Sequence, residues 1–124
     1  MKIKISPLDK LFSEYIRRRA MQRVGGCERC LSGKVDYKQL QCSHFIGRGR
    51  KSTRYDEDNA VGLCMGCHTH LGANPLEHTQ WFTDKIGQEK LDLLQARSRI
   101  TYPKPDKKLI ELYLKEKIAE ILSE

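Results

Sequence analysis

The sequence predicts an α+β fold: a small domain with a short antiparallel hairpin, held by a metal staple and flanked by N- and C-terminal helices. Three observations predict it. Apolar residues recur at helical spacing near both ends, at Leu8, Leu11, Phe12, Tyr15 and Ile16 and again at Ile110, Leu114, Ile118 and Ile121. Two short strand-forming stretches lie between them, 35–45 and 60–63. Two Cys-x-x-Cys pairs, Cys27/Cys30 and Cys64/Cys67, bracket those stretches.

The chain of 124 residues is one domain's worth, read here as a single domain over 1–124 with its core at about 8–98 and a separate amphipathic helix at 105–122. With 39% hydrophobic and 31% charged residues the core is modest, which is where a metal staple helps most. Lys and Arg outnumber Asp and Glu by 23 to 16, a net charge of +7. That balance favours a nucleic-acid partner, because basic side chains displace the counterions condensed on it. A merely soluble basic protein is the alternative. No apolar run approaches the ~20 residues of a membrane span. The start, MKIKISPLDK, lacks the apolar core of a secretory signal. A soluble cytosolic protein with no membrane partner is expected.

Taken in order, Ser6 is a helix cap, Pro7 suits the first helical position and Asp9 is an acid in the first turn. This helix is expected to run to about Val24 and stop at Gly25-Gly26. Arg17, Arg18, Arg19 and Arg23 in its last turns read equally as a solvated face or as a phosphate-contacting ridge. After the first cysteine pair, Val35 to Phe45 is weakly strand-forming and delivers His44. The loop from Gly47 to Arg54 holds Arg48, Arg50, Lys51 and Arg54, and reads as a flexible clamp on a phosphate backbone or as a solvated loop. A short strand, Ala60 to Leu63, leads to Cys64, and a helix starting in the second knuckle carries His68 and His70 to about Leu71. Asn74-Pro75 with Glu77 marks another helix start, with Leu76, Phe82 and Ile86 on its inner face and Gly87 at its end. A helix over 88–97 follows, then a stiff linker at Tyr102-Pro103-Lys104-Pro105, then the last helix, Asp106 to Leu122. Its apolar stripe must pack on this domain or on a second subunit, so a homodimer through this helix is one expectation.

Four thiolates from two knuckles suit a tetrahedral zinc at about 2.3 Å per bond. A redox dithiol is the competitor, but the chain lacks the βαβ context that such a pair expects. Structural zinc on Cys27, Cys30, Cys64 and Cys67 leaves no open position, so any chemistry needs a second ion. Cys42 is the fifth thiol: a buried apolar-like residue on its strand, or one facing an active centre.

Ser43-His44-Phe45, Asn59 and Cys64-x-x-Cys67-His68 together resemble the HNH motif of the ββα-metal (His-Me finger) nucleases. A broader likeness covers roughly Leu8 to Leu94. Phe12-Ser13-Glu14-Tyr15-Ile16-Arg17, both cysteine pairs, His44, Arg54-Tyr55-Asp56-Glu57-Asp58-Asn59 and the Asn74 region are similar to the phage NinG (Rap) recombination proteins. The resemblance implies a metal-dependent DNA endonuclease, phage- or prophage-encoded and acting in the bacterial host cytosol, on branched, recombination-intermediate or duplex DNA. It implies His44 as general base, Asn59 as its orienting partner and His68 as ligand of a catalytic divalent ion, with products carrying 5′-phosphate and 3′-hydroxyl ends. A neutral imidazole takes a proton from water near pH 7, and Mg²⁺ or Mn²⁺ stabilises the charge that develops on the phosphate. The imidazole ligand leans toward Mn²⁺. Many such enzymes carry an Asp or His before the base; here it is Ser43, a poor ligand. His70 and His78 read as surface histidines or as extra ligands. Arg17, Arg18, Arg48, Arg50, Lys51 and Arg54 are the expected DNA contacts. A zinc-ribbon module that binds DNA without cleaving it, and a zinc-stapled protein-interaction domain, are the alternatives.

Overall fold

The structure, a computed structural model, describes residues 3–124. Met1 and Lys2, the head of the segment read for a secretory signal, lie outside them. It is a mixed α+β architecture in which a two-stranded antiparallel hairpin sits among five helices of the described residues.

Helix α1 spans Pro7–Val24 as its signals predict. The Ser6 hydroxyl accepts the Asp9 amide and the Asp9 carboxylate accepts the Ser6 amide, a reciprocal cap on two otherwise orphaned donors. Gly25 ends the helix at φ 68, a left-handed position that glycine adopts at no steric cost, and its N–H reaches the Met21 carbonyl.

The expected strand over 35–45 is mostly not one. Only Gln41–His44 forms β1, and Tyr37–Gln39 is a tight 3-10 turn. Local polar side chains explain the loss: the Asp36 carboxylate accepts the Lys38 amide, and the Gln39 side-chain oxygen accepts the amides of Val35 and Asp36. Those donors are then unavailable to a ladder, and Val35 is left 94% exposed.

Strand β2, Ala60–Leu63, pairs antiparallel with β1, from Gln41 opposite Leu63 to His44 opposite Ala60. All four β2 residues are buried. At its centre the backbone of Gly62 lies against α1, where a Cβ would come 2.6 Å from that of Ala20. Two small residues thus let helix and hairpin approach to backbone contact.

Helices α2 (Met65–Ala73), α3 (Pro75–Ile86) and α4 (Gln88–Ser98) follow. Two details differ from expectation. Asn74 makes no side-chain cap on α3; its amide instead donates to the His70 carbonyl, closing the end of α2. Leu76 is 89% exposed, and the inner face of α3 is built by Phe82 with Trp81 and Ile86. Helix α5, Lys107–Leu122, is capped by Asp106. Its stripe is satisfied within the chain: Leu114 and Ile118 are buried, with Ile110 and Ile121 beside them, against Phe12, Tyr15 and Ile16 of α1. Leu109, Leu112 and Tyr113 remain exposed. The hairpin is thus held between two apolar clusters, one shared by α1 and α5, the other by β2 and α2 to α4. No helix among the described residues is long and apolar enough to cross a membrane.

Candidate functional site: a four-sulfur cluster beside a histidine cleft

The two knuckles converge. Cys27, Cys30, Cys64 and Cys67 place their sulfurs within 4.8 Å of one another, and Cys30 and Cys64 are 3.8 Å apart. Four sulfurs about 2.3 Å from a central zinc sit at tetrahedron corners about 3.8 Å apart, so the set fits that metal. The chemistry of the donors agrees. Burial and the neighbouring sulfurs push the Cys67 thiol up to about 12, although Arg29 pulls the other way; the hydroxyl and amide of Ser32 bring Cys30 down to about 6. Four thiolates this close repel unless a cation lies among them. The amide of Arg29 donates to the Cys27 sulfur, that of Cys67 to the Cys64 sulfur at the start of α2, and the Arg29 guanidinium to the Cys67 sulfur at 3.3 Å. Such donors favour the thiolate.

Two residues of the first knuckle were not singled out from sequence. Arg29 also pairs with Glu77 of α3 at 2.7 Å. Glu28, with its side chain fully buried, accepts the Gly62 amide at 2.7 Å and faces Arg23 and Lys85 at 3.5 and 3.4 Å. It joins the knuckle to β2, α1 and α3. A clue was available: an acid inside a Cys-x-x-Cys pair of a basic chain has cations to meet.

A cleft of about 550 Å³ opens beside this cluster, lined by residues that include Asp9, Arg17, Cys42, His44, Arg48 and His68. His44 and Cys42 share one face of β1, as alternate strand residues do. The imidazole of His44 is oriented by the main chain: Arg54 lies across from it and its carbonyl, which can only accept, takes the Nε2–H at 3.0 Å. The Nδ1 nitrogen therefore carries the lone pair whenever the ring is neutral. Burial holds the His44 pKa below its ordinary value. His68 is exposed at the start of α2 and faces the same cleft. Cys42 lines the cleft rather than only packing in the core; burial pushes its thiol up to about 12, so it is protonated there.

Asn59 is fully buried and its side chain makes no hydrogen bond to His44. Its amide donates to the carbonyls of Ile46 and Thr53, at 2.8 and 3.0 Å, and its oxygen accepts the Ile46 amide at 2.7 Å. It fastens both ends of the loop over 46–53, and through Thr53 it fixes the neighbouring Arg54 carbonyl. Its effect on His44 is thus indirect. The loop itself is a run of turns around fully buried Thr53. Just beyond it, Arg97 of α4 pairs with Asp56 and Asp58.

The expected basic residues separate. Arg17 and Arg48 face the cleft. Arg18 turns away, paired with Glu14 at 2.9 Å and stacked 4.1 Å over the Tyr37 ring. Arg19 is buried and donates to the carbonyls of Glu57 and Ala60, so the four arginines form no continuous ridge. Arg50 and Lys51 are exposed, and Arg54 is bound to Asp9. Ser43 is 3% exposed on the face of β1 opposite His44, away from the cleft. His70 is exposed and pairs with Glu77 at 2.8 Å. His78 is not a plain surface residue: it is half-buried, edge-on to Phe45 and Phe82.

The family described as "Bacteriophage Lambda NinG protein" matches residues 3–123. The chain belongs to the NinG family. The match reaches past Leu94, the limit of the likeness read from sequence, and includes α5, whose packing on α1 makes it part of the same body. No curated protein and no solved structure matches this NinG chain.

Among the described residues the four cysteines are the one group of three or more His, Cys, Asp or Glu ligand atoms close enough to hold a metal. Oxygen ligands suit Mg²⁺ and Mn²⁺ better than an imidazole, so a site on His68 would depend on water and substrate phosphate for the rest of its shell.

Proposed function

We propose that this protein is a metal-dependent DNA endonuclease of the HNH kind, with the ββα-metal arrangement formed by β1, β2 and α2, acting on branched or duplex DNA in the host cytosol. The observation that carries the reading is the tautomer of His44. With Nε2–H committed to the Arg54 carbonyl, the basic Nδ1 is free for a water molecule in a cleft lined by Arg17, Arg48 and His68. A neutral imidazole so fixed is a general base near pH 7.

In this reading Arg17 and Arg48 hold the scissile phosphate and its neighbours. His44 Nδ1 takes a proton from water, whose oxygen attacks phosphorus as the bond to the 3′ oxygen breaks; the 3′ oxygen takes a proton from solvent, leaving 5′-phosphate and 3′-hydroxyl ends. His68 would hold a divalent ion, which would supply charge stabilisation at the phosphate. Asn59 keeps the loop, and so the Arg54 carbonyl, in place behind the base. The zinc cluster pins α1 and its knuckle to β2 and α2.

A second reading, a DNA-binding module without catalysis, is favoured by one observation: Ser43 is turned away from the cleft, so the position before His44 offers an ion nothing. Purified protein incubated with supercoiled plasmid and a synthetic four-way junction, with Mg²⁺ or Mn²⁺, separates the two. Cleavage that His44→Ala abolishes supports the enzyme. DNA binding without cleavage under either metal supports the module.

A further inference from the structure

A second basic recess lies behind Arg54, separate from the histidine cleft. It has a volume of about 220 Å³ and is lined by Lys51, Arg54, Tyr55, Lys104, Pro105 and Lys107. We propose that this notch is a binding site for one DNA backbone phosphate, flanking the phosphate in the cleft. The proposal rests on the reading of the chain as a DNA-acting protein.

Three observations carry it. First, the lysines are uncompensated: among the described residues, Lys51, Lys104 and Lys107 have no carboxylate within ion-pairing distance, whereas Lys108 and Lys115 of the same helix both meet Glu111. Three ammonium groups around one small recess repel one another, and an anion relieves that repulsion. Second, the nearby acids are already engaged. Asp9 is held by Arg54, and the Asp106 carboxylate caps the Leu109 amide. Third, the notch and the cleft share a wall. The Arg54 carbonyl orients His44, Arg54 also lines the notch, and its partner Asp9 lines the cleft. Arg54 thus joins the two recesses, and a strand held in the cleft would run on toward the notch. The stiff linker supplies Lys104 and Pro105, and the first turn of α5 supplies Lys107, which gives the C-terminal segment a role besides covering α1.

The test compares Lys104→Gln/Lys107→Gln with a control of equal charge change on other faces, Lys90→Gln/Lys117→Gln. Both are made in a His44→Ala background so that DNA stays intact. Binding of a fluorescein-labelled duplex and four-way junction is followed by anisotropy across a salt series. The notch variant is expected to bind about 10-fold more weakly than the control, with a log–log salt slope shallower by about 0.9, the value of one lost phosphate contact. Affinity and slope equal to the control's overturn the proposal. Inorganic phosphate is titrated in parallel: a notch that binds it while the DNA slope stays unchanged serves a free phosphate ligand, which also overturns the proposal. Because binding is read without cleavage, failure of the nuclease reading leaves this result intact.

Discussion

The Nε2–H of His44 is held by the main-chain carbonyl of Arg54 at 3.0 Å, while the Arg54 side chain grips Asp9 at 2.5 and 2.9 Å. One residue thus orients the candidate base with its backbone and locks the start of α1 with its side chain. The geometry of the cleft and the stability of the first helix are coupled through it.

The pH dependence of His44 follows from its surroundings. Burial lowers its pKa from 6.5; the Arg54 carbonyl and Asp9 raise it, while the charges of Arg48 and Arg54 lower it. The net direction is down, so the unfolded chain binds a proton more readily than the folded one. Stability linked to this group is full above 6.5 and is lost as pH falls through the lower folded value. Urea denaturation of wild type should weaken on acidification more than that of His44→Asn. Equal acid sensitivity would contradict the assignment. On the proposed role, cleavage should rise with pH with a midpoint below 6.5, and His44→Ala should cost about 10²–10⁴ in rate.

Asp9 makes a stronger prediction. Burial alone would raise its pKa, but the hydrogen bond from Arg54, those from Ser6 and the Arg54 charge bring it from 3.8 to about 2. A depressed carboxylate contributes stability that is present above the unfolded value and lost as pH falls toward the folded one. The shift corresponds to about 2 kcal/mol, lost between roughly pH 4 and pH 2. Asp9→Asn should lose about that much at pH 7, and its denaturation midpoint should be flatter over the acid range. Since Arg54 is released, cleavage should fall too, beyond what the loss of stability explains.

Much of this was legible in sequence because it is local. The Ser6-Pro7-Leu8-Asp9 cap, the Gly25 stop, the two knuckles and the α5 stripe are each written within a few residues. What was not legible depends on partners distant in the chain. Asp9 reads as a first-turn acid until Arg54, 45 residues away, closes on it. Glu28 reads as a knuckle spacer until it reaches Gly62, and Arg19 as one of a basic run until it meets Glu57 and Ala60. Val35 to Gln39 failed for the opposite reason: polar side chains of Asp36 and Gln39 capture amides that a strand pattern assumes are free. Asn59 reads as a direct partner of His44 until the folded loop shows its side chain bonded to Ile46 and Thr53 instead.

The cysteine cluster predicts different results for a ligand and its support. Cys64→Ser removes a ligand and the sulfur that caps α2, and should leave the domain unfolded and without zinc. Arg29→Met keeps all four sulfurs but removes the donor to Cys67 and the pair with Glu77. It should stay folded with zinc bound about 10–100-fold more weakly. Competition with a chromogenic chelator measures the second, and circular dichroism with metal analysis the first. A folded, metal-free Cys64→Ser protein would refute the staple.

The loop over 46–53 is the most demanding part of the site, because Asn59 must donate twice and accept once within it. Asn59→Asp keeps the shape and the acceptor but turns a carboxylate oxygen toward the carbonyls of Ile46 and Thr53. The lost bonds and the repulsion should together cost about 3 kcal/mol, more than Asn59→Ala, which leaves the carbonyls unpaired without opposing them. Chemical denaturation ranks the two variants. Hydrogen exchange at the Ile46 amide, whose acceptor is the Asn59 side chain, should quicken in Asn59→Ala. Cleavage should fall in both variants even where the protein remains folded, because the Arg54 carbonyl loses its neighbour's anchor and His44 its fixed tautomer. An Asn59→Asp protein as stable as Asn59→Ala would mean that the two carbonyls do not meet the amide, and the indirect route from Asn59 to the base would fail with it.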